Sequence, residues 1–306
     1  MRSARGAEQL GLGLLLFDDE RGAPGAPAAR WSPDPLEAAA HAAAVTDAVG
    51  LVVSAAATHA EPFHLSNRLS SLDWGSHGRA GWLVSIDTSS QRAAAYSAAV
   101  PDPRAARREA VGVVDAVARL WDSWEDGALI ADSASGRFLD NSLLHYTDTG
   151  PGSGAGEFFR IRGPALMPRP VQGRPVIFGA ADDAAGQALA GVDVTVVTVA
   201  PDADATSVAG QVATDPSARP TAARVTVSRQ TTPGQLTALL RALAGRAAAV
   251  VLGGPEADVT LDLLTRVAPG LDDAGLLARP RAGQTLRHQL GLPRPASRYA
   301  RSETPR

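Results

Sequence analysis

Two aspartates, Asp18 and Asp19, follow the apolar run LGLLLF (Leu12 to Phe17). Acids at the end of a buried strand can bind a substrate cation or orient a water, and solvated strand-end acids look the same in sequence. A second group is cationic. Arg104, Arg107 and Arg108, within VPDPRAARREA (Val100 to Ala110), can hold an anionic substrate by charge, or form the solvated face of a helix. His145, within LLHYTD, is a candidate to line a substrate mouth. His41 sits in an Ala-rich segment and reads as a surface or packing histidine. His64 and His77 share no metal-ligand spacing, so no metal site is expected. GPGSGAG (Gly150 to Gly156) has the glycines of a nucleotide loop, but it follows no strand and opens no clear helix, so it reads as linker.

Composition removes several chemistries. There is no cysteine, which excludes disulfides, thiolate metal sites and Cys nucleophiles. All 29 basic residues are Arg, which excludes Schiff bases and a P-loop lysine. Net charge is -3, so no basic field is available for nucleic acid or an anionic membrane. No apolar stretch reaches membrane-spanning length, and no small-residue cleavage site follows the first apolar run. The expectation is a cytoplasmic protein.

The elements that must position these groups alternate. Apolar runs at Leu12–Phe17, Gly50–Ala55, Gly81–Ile86, Pro175–Phe178, Val192–Val199, Arg224–Ser228 and Ala249–Gly253 read as seven strands. Between them lie helical patterns at Pro35–Ala48, Pro62–Leu72, Arg104–Trp124 and Pro233–Leu243. Trp121 and Trp124, at i and i+3, read as core packing. Strands apolar throughout imply a parallel sheet covered on both faces. A doubly wound sheet and a (β/α)8 barrel both satisfy this pattern; as a barrel, it lacks one β/α unit, most simply the first. Residues 1–278 read as a single domain with an excursion at 125–174 that reads as a lid or binding loop. That excursion holds one hairpin-like piece, EFFRIRGP. Residues 279–306, rich in Arg and Pro, read as a poorly ordered C-terminal arm.

Four stretches carry a resemblance: EPFHLSNRLSSLDWGSHGRAGW (Glu61 to Trp82), LWDSWEDGALIADSASGRFLD (Leu120 to Asp140), GEFFRIRGPALMPRPVQGRPV (Gly156 to Val176) and TLRHQLGLPRPASRYA (Thr285 to Ala300). On these the sequence resembles the luciferase-like flavin-dependent monooxygenases, in the branch around nitrilotriacetate monooxygenase. The resemblance implies a TIM-like (β/α)8 barrel of the luciferase-like type, here without its first β/α unit unless the true start lies upstream. It also implies reduced FMN supplied by a separate flavin reductase, with O2 and a small organic substrate. A missing strand leaves open sheet edges, so a homo- or hetero-oligomer is expected.

The resemblance also assigns site residues. Thr58 and His59 fall where relatives carry hydroxyl and aromatic groups near the flavin, although Thr58 could equally cap the Pro62 helix region. His59 and His145 are the candidate catalytic groups. Leu83 replaces a polar amide that bonds the flavin ring, and an unpaired buried polar edge costs about 1–3 kcal/mol. Relatives hold the FMN phosphate on the turn that begins here at Gly179 and Ala180. Asp182 and Asp183 occupy that turn, and one like-charge contact at surface-like dielectric costs about 4 kcal/mol. FMN binding is therefore expected to be weak or lost. The alternative to an oxygenase is a degenerate, non-catalytic partner subunit or weak ligand binder. Asp18, Asp19 and Arg104 are the candidate substrate contacts.

Overall fold

Strands with apolar residues on both faces need cover on both sides, and the chain supplies it as a barrel core inside and helices outside. The computed structural model describes residues 2–18, 33–149, 158–181, 189–200, 203, 212, 219–254, 257–277 and 279–300. The strands are β1 (Leu14–Phe17), β2 (Gly50–Ala56), β3 (Ala80–Ser85), β4 (Leu129–Asp132), β5 (Arg137–Leu139), β6 (Thr147–Asp148), β7 (Arg162–Gly163), β8 (Val176–Ala180), β9 (Val194–Val199), β10 (Thr221–Thr226) and β11 (Ala249–Gly253). The helices are α1 (Arg2–Gln9), α2 (Pro35–Ala43), α3 (Pro62–Gly75), α4 (Ser90–Ala95), α5 (Pro103–Asp122), α6 (Pro233–Leu243), α7 (Ala257–Asp273) and α8 (Leu286–Gln289). None of these helices is long and apolar enough to cross a membrane.

Seven strands form one parallel sheet in the order β1-β2-β3-β8-β9-β10-β11. The sheet curls into a nearly closed barrel. Residues of β1 and β11 come within 8 Å at Cα, yet no backbone ladder joins them among the described residues. An intervening strand would hold its neighbours about 10 Å apart, twice the ordinary strand spacing. Where β1 and β11 approach, there is no slot for an eighth strand. The open edges expected from sequence largely face each other.

Helix starts follow the residues that stop backbone N–H groups from being orphaned. Asp34, Glu61 and Asp102 each accept from first-turn N–H groups, and Pro35, Pro62 and Pro103 follow them. Thr232 and Gln235 form a reciprocal capping box on α6.

Among the described residues the excursion is packed against a helix. It packs on the outer flank of α5, where Ala116, Leu120, Trp124, Ala128, Ile161 and Ala165 bury one another. The Trp124 indole donates to the Ala165 carbonyl at 2.9 Å. Its hairpin is β4–β5, and Arg162–Gly163 pairs instead with Thr147–Asp148, so EFFRIRGP is not a hairpin by itself. The tail expected to be poorly ordered is packed across the N-terminal end of the barrel through residue 300. Leu286 is buried there between Gly50 and Gly81, where a Cβ would approach its methyls to 2.6 and 3.0 Å. Arg287, also buried, pairs with Asp193 at 2.7 Å and donates to the Arg174 carbonyl. Apolar insertion and ion pairing fix a segment whose composition suggested solvent.

Candidate functional site

In barrels of this kind ligands sit at the C-terminal ends of the strands. Below that mouth, in the barrel interior, most inward positions are apolar, with buried Ser54 of β2 as the register partner of Leu83. Leu83 and Phe178 are register partners on adjacent strands, and Leu14, Leu16, Val52, Val196 and Val251 close around them. Leu83 and Phe178 are 8% and 2% exposed. The cavity left among them is about 10 Å³, room for about one water.

One charged residue points into this apolar ring. Arg224 of β10 lines the cavity, and its guanidinium meets the Asp18 carboxylate at 2.6 Å, reaching past β11 to the end of β1. Arg224 is absent from the candidates read from sequence. A signal for it exists: alternation along Thr221–Thr226 puts it on the same face as buried Ala222, a core position. Asp18 is thus at the mouth as expected, but an internal cation already engages it. Asp19 lies outside the described residues.

Thr58 follows β2, and its hydroxyl donates to the Asp87 carbonyl at 3.0 Å and accepts from the Asp87 N–H at 2.9 Å. It braces two mouth loops to each other. Asp87 continues the brace by accepting from Ser89 N–H and from Arg92 Nε. Burial alone would raise the Asp87 carboxyl, but these bonds outweigh it and hold it below the usual carboxylate range. His59 adopts a left-handed backbone (φ 60°) and stacks on Tyr96 at 5.6 Å. Its Nε2 is buried without a hydrogen-bond partner among the described residues. Strain and an unmet polar atom together mark His59 as the mouth residue most available to a ligand.

The remaining candidates separate. Gly179 is buried and Ala180 is exposed at the end of β8, while Asp182 and Asp183 lie outside the described residues. Arg104 is exposed in the first turn of α5. His145 is at the opposite end of the barrel. Its N–H bonds the Ser123 carbonyl just past α5, its Nε2 meets Glu125 at 2.6 Å, and its ring stacks on Tyr299 at 4.0 Å. A recess of about 380 Å³ opens on that side, lined by Glu125, Asp126, Arg169, Arg294 and tail residues. Its charges are matched internally, since Asp126 meets both Arg169 and Arg294 at 2.7 Å.

A flavin ring carries several donors and acceptors along one edge. Against it the described part of the mouth presents the Arg224–Asp18 ion pair, a committed Thr58 hydroxyl and one unpartnered imidazole nitrogen, while most of the loops after β1, β8, β9 and β11 lie outside the described residues.

The sequence matches the luciferase-like monooxygenase family over residues 1–297. It is 34% identical over 308 residues to one of the subunits of pristinamycin IIA synthase from Streptomyces pristinaespiralis, spanning 98% of this chain and 90% of that protein. It is 36% identical over 172 residues to nitrilotriacetate monooxygenase component A of Aminobacter aminovorans, which covers 55% of this chain but only 36% of that protein. Among solved structures, EDTA monooxygenase from Chelativorans sp. BNC1 superposes with a TM-score of 0.78 at 19% identity, over 96% of this chain and 90% of that one. A long-chain alkane monooxygenase gives 0.77 at 16% identity, over 95% and 87%. These two structural likenesses carry the fold.

Proposed function

The chain belongs to the luciferase-like monooxygenase family, and from that premise we propose that it is the companion subunit of a two-subunit, flavin-dependent monooxygenase. In this reading a separate reductase supplies reduced FMN, O2 is the co-substrate, and a small organic molecule is oxygenated. The reaction takes place in the cytoplasm. The carrying observation is the near end-to-end match to a protein whose name makes it one of the subunits of a synthase, whereas the match to nitrilotriacetate monooxygenase component A covers about a third of that protein. The word "component" in the nitrilotriacetate relative's name supports a reductase partner.

The test is reconstitution. This chain is co-expressed with each other luciferase-like chain of its source, and the purified products are supplied with a flavin reductase, NADH, FMN and O2. Gain of one oxygen atom by candidate substrates is read by mass spectrometry. A mixed complex is expected to oxygenate where neither chain alone does. Oxygenation by this chain alone would overturn the companion role, and so would failure to form any mixed complex.

A further inference from the structure

We infer that the mouth of this barrel carries a receptor for a carboxylate group, built from Arg224 and Thr226 of β10 and Thr198 of β9. The inference rests on the oxygenase reading above only in naming the class of small organic molecule that this chain holds.

Placement comes from the pleat. Side chains alternate across a strand, so Ala222, Arg224 and Thr226 share one face of β10. Ala222 packs in the barrel interior with Val194 and Val196 of β9, whereas Ala223 and Val225 pack outward against Leu236, Leu239 and Leu263. Thr198 follows Val196 on the interior face of β9 and is the register partner of Arg224. Neighbouring strands lie about 4.8 Å apart, so these two side chains stand next to each other. Thr226 stands one pleat nearer the mouth, beside Gly253 of β11, which has no side chain to cover it. Both threonines are exposed, and no hydrogen bond engages their hydroxyls among the described residues.

The chemistry comes from the guanidinium. Arg224 lies among Val196 and Val251, and 39% of its side chain is exposed. Asp18 accepts from Nη2 at 2.6 Å, while Nε and Nη1 have no partner among the described residues. A guanidinium is a planar fork of five donors and serves two carboxylates at once where both are in reach. This chain uses that capacity elsewhere, since Arg68 joins Asp34 at 2.7 Å and Glu37 at 3.1 Å. At the mouth Asp18 is the first carboxylate and the second place is open. A ligand carboxylate matches it in charge and in planar shape, and the Thr198 and Thr226 hydroxyls add two donors. Asp18 pre-positions the guanidinium, and it also repels the incoming group. A clasp across the β1–β11 seam accounts for Nη2 alone and gives no role to two hydroxyls aligned on the same face.

The experiment is ligand binding to the full-length chain without flavin or turnover, by calorimetry and ligand-observed NMR. The probes are benzoate and succinate, each compared with its uncharged amide, and inorganic phosphate. Each carboxylate is expected to bind about tenfold or more tighter than its amide, the effect of a hydrogen bond to a charged group. Arg224→Gln should erase that difference, and Arg224→Lys, which keeps the charge but loses the fork, should retain part of it. Asp18→Asn should tighten the carboxylates about fivefold, the effect of removing one like charge about 4 Å away in water. A seam clasp predicts no such gain. Equal binding of acid and amide by the unaltered chain, binding of neither, or a preference that survives Arg224→Gln overturns the receptor. Tighter binding of phosphate than of both carboxylates overturns it too, by making the site one for a phosphate. The acid–amide comparison uses the unaltered chain, so it decides the matter even if Arg224→Gln fails to fold. Failure here leaves the mixed-chain oxygenase standing, because reconstitution is read from product, and a failed reconstitution leaves the receptor standing, because binding is read without turnover.

Discussion

At the floor of the barrel Asp122 is fully buried and faces three guanidiniums, those of Arg169, Arg174 and Arg298. At the mouth Asp18 pairs with Arg224, and both partners keep about a third or more of their side-chain surface in water, 34% and 39%. The floor joins segments that are distant in the chain: the end of α5, the residues before β8, and the tail. The mouth pair joins two strands already held in one sheet. Barrels separate these roles, with stability built at the N-terminal face and ligand chemistry at the C-terminal face. This chain keeps the first arrangement in full. At the second the described loops carry the Thr58–Asp87 brace and the unpartnered His59 Nε2.

The largest expected effect breaks the floor. Asp122→Ala takes the carboxylate partner from Arg174 and leaves Arg169 with Asp126 alone, and removing one partner of a buried network costs about 3–5 kcal/mol. Urea unfolding monitored by circular dichroism should show a large fall in midpoint with little change in slope. A loss under about 1 kcal/mol, the range of surface pairs, would erase the contrast between the two ends. Leu286→Ala is next. The side chain is 1% exposed and plugs a slot framed by Gly50 and Gly81, so a loss of about 2–5 kcal/mol is expected. Hydrogen exchange should also rise in residues 285–300, which the plug holds in place.

That slot marks a limit of what the chain's pattern can show. The strands are legible because their apolar runs are short and bounded. The helices are legible because Asp34-Pro35, Glu61-Pro62 and Asp102-Pro103 announce their starts. Leu286 is not, because its site is made by two glycines far away in the chain whose missing side chains have no local signature. An Arg- and Pro-rich tail looks solvated until Asp193 and Asp126 are found beside Arg287 and Arg294. At the mouth, alternation points to buried inward residues, and Leu83 stands out among them. The partnership of Arg224 with Asp18 depends on barrel closure, and no pattern along the chain encodes it.

A third prediction uses pH to separate charge from packing at the floor. Asp73 is fully buried, and burial raises its carboxyl to about 6, although bonds from Gln172 and Ala80 pull the other way. A raised folded value means that protonation favours the folded state. The contribution is complete below the unfolded value of 3.8 and is lost as pH rises through about 6. Fully expressed, it is worth about 3 kcal/mol. Asp126, lowered by its bond from Arg294, and Asp115, where burial is outweighed by bonds from Arg119 and Arg298, act in the opposite sense. Their contribution is present above the ordinary carboxylate range and fails only in stronger acid. Between pH 8 and 5 the melting temperature should therefore rise as pH falls. Asp73→Asn should flatten that rise while lowering the whole curve, because its amide turns one acceptor into a donor facing the Gln172 N–H. An unchanged slope in this variant would mean that another group sets the pH dependence.

The smallest effect tests the mouth directly. Asp18→Asn removes one charge from a pair that is about a third exposed, and such pairs contribute about 0–1 kcal/mol. Global stability should barely move. The seam should respond instead, because no backbone ladder joins β1 to β11 among the described residues and the pair spans that gap. Hydrogen exchange at Leu14–Phe17 and Ala249–Gly253 should accelerate in Asp18→Asn, while exchange in β2, β3 and β8 stays unchanged. Added salt should mimic the substitution in the unaltered chain, since a half-exposed pair is screened, and should do little to the buried floor pairs. A uniform acceleration across all seven strands would show that the pair supports the whole barrel, and the two ends would then differ only in degree.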